Sequence, residues 1–402
     1  MMGKVIARMN QTTSRVESPH GSYGSRELIV MALTHFANHV YTQMHLALIP
    51  VFMEEFNLSL GLVGVMVMIP LLSETVATVP SGLVADRLGY FRQVIVSLAV
   101  TAAAALLMTQ ASNVYFVVLS LSLMALSTTI YHPPAYGAVS QMFETNRNRA
   151  LGVHGAGGTL GWALGPLSLG ALLGLIGWRL VYVVWAPLAV ACILLLLKMR
   201  APEPKTLAIA EEKQKGVRAM FTFGFSIVLS VIAINAVGRQ IVSTLMSPYV
   251  VLVRGHSVQT ASYIMGLMAL TGIVAAPIGG IIADRLGEKK LLTLTFFSSI
   301  VALVGFISVG RVEELLLLGV VYGYLVYSGM AATAALVSYF TPTSRRGLGY
   351  ALFFLPSYIA GAAAPVVGTT LAESYGMWSS YCLAVALILV GIAVLQKVPR
   401  TR

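Results

Sequence analysis

The sequence predicts an all-α integral membrane protein with twelve spanning helices. Three observations carry this. Of its 402 residues, 57% are hydrophobic and only 10% are charged, with a mean hydropathy of +0.83. A soluble domain carries about 25% charged residues, so this chain has too few charges to cover a solvated surface. Its apolar runs reach or exceed the roughly 20 residues needed to cross a bilayer. The few charges fall between those runs. In lipid only helices and closed barrels satisfy their own backbone, and runs this long and uniformly apolar do not fit barrel strands.

The runs fall at 27–53, 59–84, 93–111, 113–142, 150–175, 177–198, 219–252, 257–283, 291–310, 313–340, 348–372 and 376–396. The first 26 residues are a polar tail without an apolar h-region, so no cleaved signal peptide is expected. Residues 199–218 form a charged linker between spans six and seven. Residues 397–402 close the chain as a second tail. With the N-terminus inside, Arg179, Arg254 and Arg311 lie outside and Arg239 lies within a span, leaving 22 of the 26 Lys and Arg on the inner side. This asymmetry predicts cytoplasmic termini at both ends of a multi-pass cell-membrane protein. A membrane surface accounts for the net charge of +11, and no nucleic-acid partner is expected. Cys192 and Cys382 both lie in apolar runs, so no disulfide framework or Cys-based metal site is expected.

The chain repeats itself. SGLVADRLGYFRQ (81–93) recurs as GGIIADRLGEKKL (279–291), with Asp86 matching Asp284. NRALG (148–152) recurs as RRGLG (345–349). Two six-helix halves, 27–198 and 219–396, joined by an inner linker are one of the repeat arrangements of secondary transporters.

The loop Gly82-x3-Asp86-Arg87-x-Gly89-x2-Arg92 and its echo Gly280-x3-Asp284-Arg285-x-Gly287 resemble the signature of the major facilitator superfamily. The resemblance covers nearly the whole chain. It implies two pseudo-symmetric six-helix bundles and a cavity lined by spans one, four, seven and ten. In the loops, Asp86, Arg87, Arg92, Asp284 and Arg285 would form a cytoplasmic gate that holds the halves together in one state.

Span five holds GVHGAGGTLGWALGPLSLG (152–170). It resembles the superfamily's antiporter pattern at Gly152, Gly161, Gly165, Pro166 and Gly170, with Leu169 departing from it. Small residues let helices approach closely in lipid, and a proline bends a helix. Gly152, Gly161, Gly165 and Pro166 are therefore expected to face the other half as a smooth, bendable interface. A narrower likeness, to the fosmidomycin-resistance-like branch of drug:proton antiporters, rests on HFANHVYTQMHLALIPVFMEEFNLSLGLVG (35–64) and TIYHPPAYGAVSQM (129–142). That branch tends to carry Asn-Asp in span one, where this chain has Asn38-His39.

Ionisable groups inside a bilayer cost at least about 2.5–3.5 kcal/mol on insertion scales, so they face a cavity or a partner. Glu74 lies twelve residues before Asp86, roughly 18 Å along a helix at 1.5 Å per residue, and is the one acid well inside a span of the first half. It is the candidate proton-coupling carboxyl, with His39 and His132 as candidate relays. A neutral carboxyl merely hydrogen-bonded to Ser73, Thr75 or a neighbouring helix is the structural alternative. His35, Asn38, Gln43, Asn235, Arg239 and Tyr327 are candidates for the substrate cavity. Arg239 could attract an anionic substrate or neutralise Glu74. Tyr322, Tyr324, Phe353, Phe354 and Tyr358 could add an aromatic wall. The histidines lack a carboxylate or Cys at ligand spacing, so no metal and no cofactor is expected.

No nucleophile elbow, HExxH, Walker loop or dinucleotide fingerprint in strand–helix context occurs, which excludes an enzyme. The longest soluble segment is the linker, too short for a receptor's output domain. The expectation is a monomeric secondary transporter working by alternating access on a small organic molecule. The span-five pattern favours proton-coupled efflux. Arg239 favours the alternative, proton-coupled uptake of a small anionic metabolite.

Overall fold

The computed structural model describes residues 24–200, 202, 221–341 and 346–399. Nearly all of the polar tail and of the linker lie outside them, as do the side chains of 82–88 and 346–354. Span one is three helices, Ser25–His39, Met44–Ala47 and Ile49–Glu55. Spans two to four are Leu60–Leu88, Tyr90–Thr109 and Val114–Met142. Spans five and six run together as Arg147–Val184, which leaves helical geometry at Gly177, and continue as Ala186–Lys198. Span seven is Phe223–Pro248 with a π-turn at Tyr249–Val253. Span eight is Val258–Leu270 and Gly272–Leu286. Spans nine to twelve are Glu288–Ser308, Val312–Tyr339, Arg346–Tyr375 and Met377–Leu395. Nine helices among the described residues are long and apolar enough to cross a membrane, one of them being spans five and six together.

The most extensive packing partnerships within the first half recur in the second with six added to the span number. Span one packs on five, two on four and three on four; seven packs on eleven, eight on ten and nine on ten. The backbone repeats too. Gly89 (φ 81°, ψ 149°) and Gly287 (φ 85°, ψ 146°) end spans two and eight in a conformation that residues with a Cβ avoid. This is why both loop motifs keep the glycine.

Span five answers differently from the expectation. A Cβ on Gly161 would stand 2.7 Å from the Phe36 carbonyl oxygen, and one on Gly165 would overlap the Val40 carbonyl. Gly157 is pressed in the same way on Ala32. These glycines lie four residues apart, on one helix face, and that face meets span one of the same half. Gly152 meets nothing within 4 Å, and Pro166 is buried. The contact with span eight of the other half lies on another face of the same stretch, from Thr159 to Gly170. A Cβ on Gly170 would come to 2.8 Å from the Tyr263 ring, and one on Gly266 to 2.9 Å from the Ala163 carbonyl.

The halves also meet where spans two and eleven cross. The Gly61 amide donates to Glu373 Oε2 (2.9 Å), and Gly64 sits against Pro365, Val366 and Thr369. Ser247 Oγ donates to the Ala47 carbonyl (2.7 Å), tying span seven to span one. These ties all lie toward the end opposite the Asp284 loop. At that end the first half carries its own clasp. Arg179 Nη2 donates to Glu55 Oε1, Trp178 Nε1 donates to Glu55 Oε2 (2.8 Å), and Arg179 Nε donates to the Ala111 carbonyl (3.1 Å). Partial burial alone would raise the Glu55 carboxyl; the hydrogen bonds from Arg179 and Trp178 and the Arg179 charge outweigh it and hold it below the usual carboxylate range.

Two outcomes follow from this packing. Gly165→Leu drives a side chain into the Val40 carbonyl, so it should destabilise the first half by about 1–3 kcal/mol, the usual overpacking range. A detergent thermal melt indistinguishable from wild type would contradict the close approach. For Glu55, a depressed folded pKa means its contribution is present above the unfolded value and lost as pH falls through the folded one. The pair is about a third exposed, so the contribution is at most about 1 kcal/mol. Glu55→Gln should lower the melting temperature at pH 7 and lose its effect below about pH 4, where wild type and variant should converge.

Candidate functional site

The polar residues of the first half divide into two groups. Asn38 belongs to the first. Its Nδ2 donates to Ser97 Oγ (3.1 Å) and Ser127 Oγ (3.1 Å). Ser97 and Ser127 each donate to the other's carbonyl, at 2.9 and 2.8 Å. This knot joins spans one, three and four. Asn38 is 1% exposed, so it is structural glue rather than cavity lining. Its counterpart Asn235 is also held by its own bundle. Asn235 Nδ2 donates to the Val231 carbonyl (2.9 Å), and the side chain packs against Gly391 of span twelve.

The second group consists of rings and ionisable groups. His35 and His39 of span one, His132 and Tyr136 of span four, and His154 of span five come together. His35 stacks on His154 with ring centroids 4.3 Å apart and lies 4.7 Å from His39. His39 Nε2 and His132 Nε2 are 3.1 Å apart. His35 Nδ1 hydrogen-bonds the His154 carbonyl (2.8 Å), and His154 Nδ1 the Met31 carbonyl (3.0 Å). His35 and His39 are buried, so His35 does not line an open cavity; His132 is half-buried and Tyr136 exposed. The glycines of span five make the room: a Cβ on Gly158 would stand 2.7 Å from the His35 ring.

Glu74 belongs to span two. The hydroxyls of Ser73 and Thr75 are spent on their own helix, donating to the Ile69 and Leu71 carbonyls. The Glu74 backbone carbonyl accepts from Thr78 (2.9 Å) and Thr129 (3.3 Å). Its carboxyl makes no hydrogen bond or ion pair among the described residues. Tyr358 of span eleven lies in electrostatic range of both Glu74 and Tyr136. Glu74 thus stands at the seam between the halves.

On the other side, Arg239 is exposed and acts electrostatically on Tyr322 and Tyr327 of span ten. It forms no ion pair with Glu74. Tyr327 packs on Gly272, where Thr159 of span five also arrives. Gln43 is half-buried in the turn that breaks span one. Arg92, Asp284 and Arg285 are exposed, and no ion pair forms among them; the side chains of Asp86, Arg87, Phe353 and Phe354 lie outside the described residues.

Sequence reasoning passed over His154, Tyr136 and the Ser97–Ser127 pair. His154 sits inside the quoted glycine stretch, and an imidazole in an otherwise uncharged span was the available signal. Its partners lie on other spans, at separations that no periodicity links.

The sequence pattern described as Major Facilitator Superfamily matches residues 31–312 and again 228–402. The multidrug resistance protein MdtG of Salmonella paratyphi C is 24% identical over 340 residues, covering 81% of this chain and 82% of that protein. MdtG of Citrobacter koseri is 25% identical over 337 residues with the same coverage. Among solved structures, a bacterial homolog of the human lysosomal transporter Spinster, inward-facing and occupied, is similar with a TM-score of 0.82 at 16% identity, covering 94% of this chain and 97% of that one. The nucleoside transporter NupG is similar at 0.79 and 12% identity, covering 93% and 100%. These two likenesses bear on the fold alone. With a match that runs through both halves of the molecule, this chain belongs to the Major Facilitator Superfamily of membrane transporters.

Proposed function

We propose that this transporter exports a small organic molecule by alternating access, driven by proton entry, from a cell membrane with both termini in the cytoplasm. One observation carries the coupling: Glu74, a carboxyl without a hydrogen bond or ion pair among the described residues, stands where spans two and eleven meet. A group that moves protons has to be free to change charge, and it has to sit where the halves move against each other. The titratable groups in range are Tyr358 and, through it, Tyr136. Relatives named for multidrug resistance support the outward direction. Ties at the end away from the Asp284 loop support a state closed outside. In the opposite state the loops carrying Asp86, Arg87, Arg92, Asp284 and Arg285 would close the inner side.

Glu74→Gln is a permanent mimic of the protonated form. In liposomes with an imposed pH gradient it should abolish gradient-driven accumulation of a transported dye or drug. Downhill exchange should persist within about twofold. Full gradient-driven accumulation by this variant would sink the role.

A second reading, uptake of an anionic metabolite, is favoured by Arg239, an exposed cation inside a span. A hydrogen bond to a charged group contributes about 1.5–3 kcal/mol, so on this reading Arg239→Gln should raise KM for the anion by about tenfold or more. On the export reading, flux of a neutral or cationic compound should stay within about twofold in the same vesicles.

A further inference from the structure

The histidine cluster holds more than a relay requires. One ring nitrogen from each of His35, His39 and His132 lies within 4.8 Å of the other two. The His154 carbonyl can only accept, so His35 Nδ1 carries its hydrogen and Nε2 presents a lone pair. That Nε2 is buried without a hydrogen-bond partner, and so is His39 Nδ1. His39 Nε2 and His132 Nε2, 3.1 Å apart, share one hydrogen between them. Unpartnered lone pairs in a dry site are costly to fold, and three of these imidazoles converge on one point. Along the chain no carboxylate or Cys stands at ligand spacing from these histidines. The fold supplies ligands from two different spans instead.

We propose that His35, His39 and His132 form a buried binding site for one divalent transition-metal ion of the zinc class. Neutral imidazole is a ligand suited to zinc, copper and nickel. Three protein nitrogens with a fourth position left open is the arrangement of sites that accept a further ligand. Tetrahedral coordination at about 2.0–2.1 Å brings the nitrogens to about 3.3 Å from one another. The His39–His132 pair already stands near that separation, and His35 Nε2 closes the remainder by a small ring movement. The His154 carbonyl is the outer partner that holds the His35 ring and its tautomer, as metal-bound histidines require. The ion takes the place of the hydrogen between His39 and His132. That hydrogen moves to His39 Nδ1, so the three ligands stay neutral and the ion keeps its double charge. An uncompensated dication in the membrane is unfavourable, so the open position selects an anionic fourth ligand.

The test reads metal binding and needs no transport, so it stands apart from the export reading. The full chain is purified in detergent with any affinity tag removed and metals stripped, then dialysed against Zn2+, and bound metal is counted by mass spectrometry. Co2+ replaces Zn2+ in a second sample for its visible absorption. The expected result is one ion per chain and the absorption bands of tetrahedral nitrogen-ligated Co2+. His35→Gln and His132→Gln should each weaken binding by at least about tenfold. His256→Gln, at a half-buried histidine outside the cluster that is bonded to the Gly310 carbonyl, should bind as wild type. Failure of the wild type to bind Zn2+ one to one overturns the proposal, whatever the variants do. Wild-type affinity in monodisperse His35→Gln and His132→Gln overturns it as well, and leaves the cluster to a proton.

Discussion

Everything in the first half hangs on how closely span one can lie on span five. In lipid there is no hydrophobic drive between helices, so van der Waals contact and interhelical hydrogen bonds must hold them. Gly157, Gly161 and Gly165 remove every side chain from one face of span five, and the carbonyls of Ala32, Phe36 and Val40 rest against it. Gly158 clears the space that the His35 ring fills. The same contact therefore packs the bundle and sets His35 over His154. A larger residue at any of these positions would lift span one away and take the histidines with it.

The second half repeats this logic with different detail. The main neighbours of the spans recur six spans later, and the glycines ending spans two and eight adopt nearly the same dihedrals. Two bodies so similar can move against each other as units, because each is braced internally, while between them spans two and eleven and spans five and eight lie face to face. The hydrogen bonds between the halves described here, Gly61 to Glu373 and Ser247 to Ala47, join backbone on one side to a single side chain on the other. Such contacts are easily exchanged when the molecule changes state.

Polar groups inside the membrane serve two purposes, and hydrogen bonding tells them apart. Asn38 Nδ2, Ser97 and Ser127 hydrogen-bond one another and are closed to solvent; they bind spans one, three and four together. Glu74, the free nitrogens of His35 and His39, and Arg239 are not satisfied in this way. Leaving such groups without partners costs folding free energy, a cost that function explains better than stability does.

Span lengths, the uneven spread of Lys and Arg between the loops, the repeated Asp86 and Asp284 loops and the isolation of Glu74 in span two are all legible along the chain, because each depends on local composition or on a fixed offset. Gly89 and Gly287 belong here too, since a single residue's dihedrals decide them. What no spacing could reveal is which neighbour each face meets. Asn38 and His35 share a face by helical period, yet one hydrogen-bonds spans three and four and the other span five. Gly161 and Gly165 were legible as a smooth stripe, but not as one turned toward span one. His154 and His132 lie on different helices, and only the packing angle between those helices brings their rings to the same place. Secondary structure in lipid is dictated residue by residue through backbone satisfaction; the partner of a helix face is set by the fit of two whole surfaces, which tertiary structure alone decides.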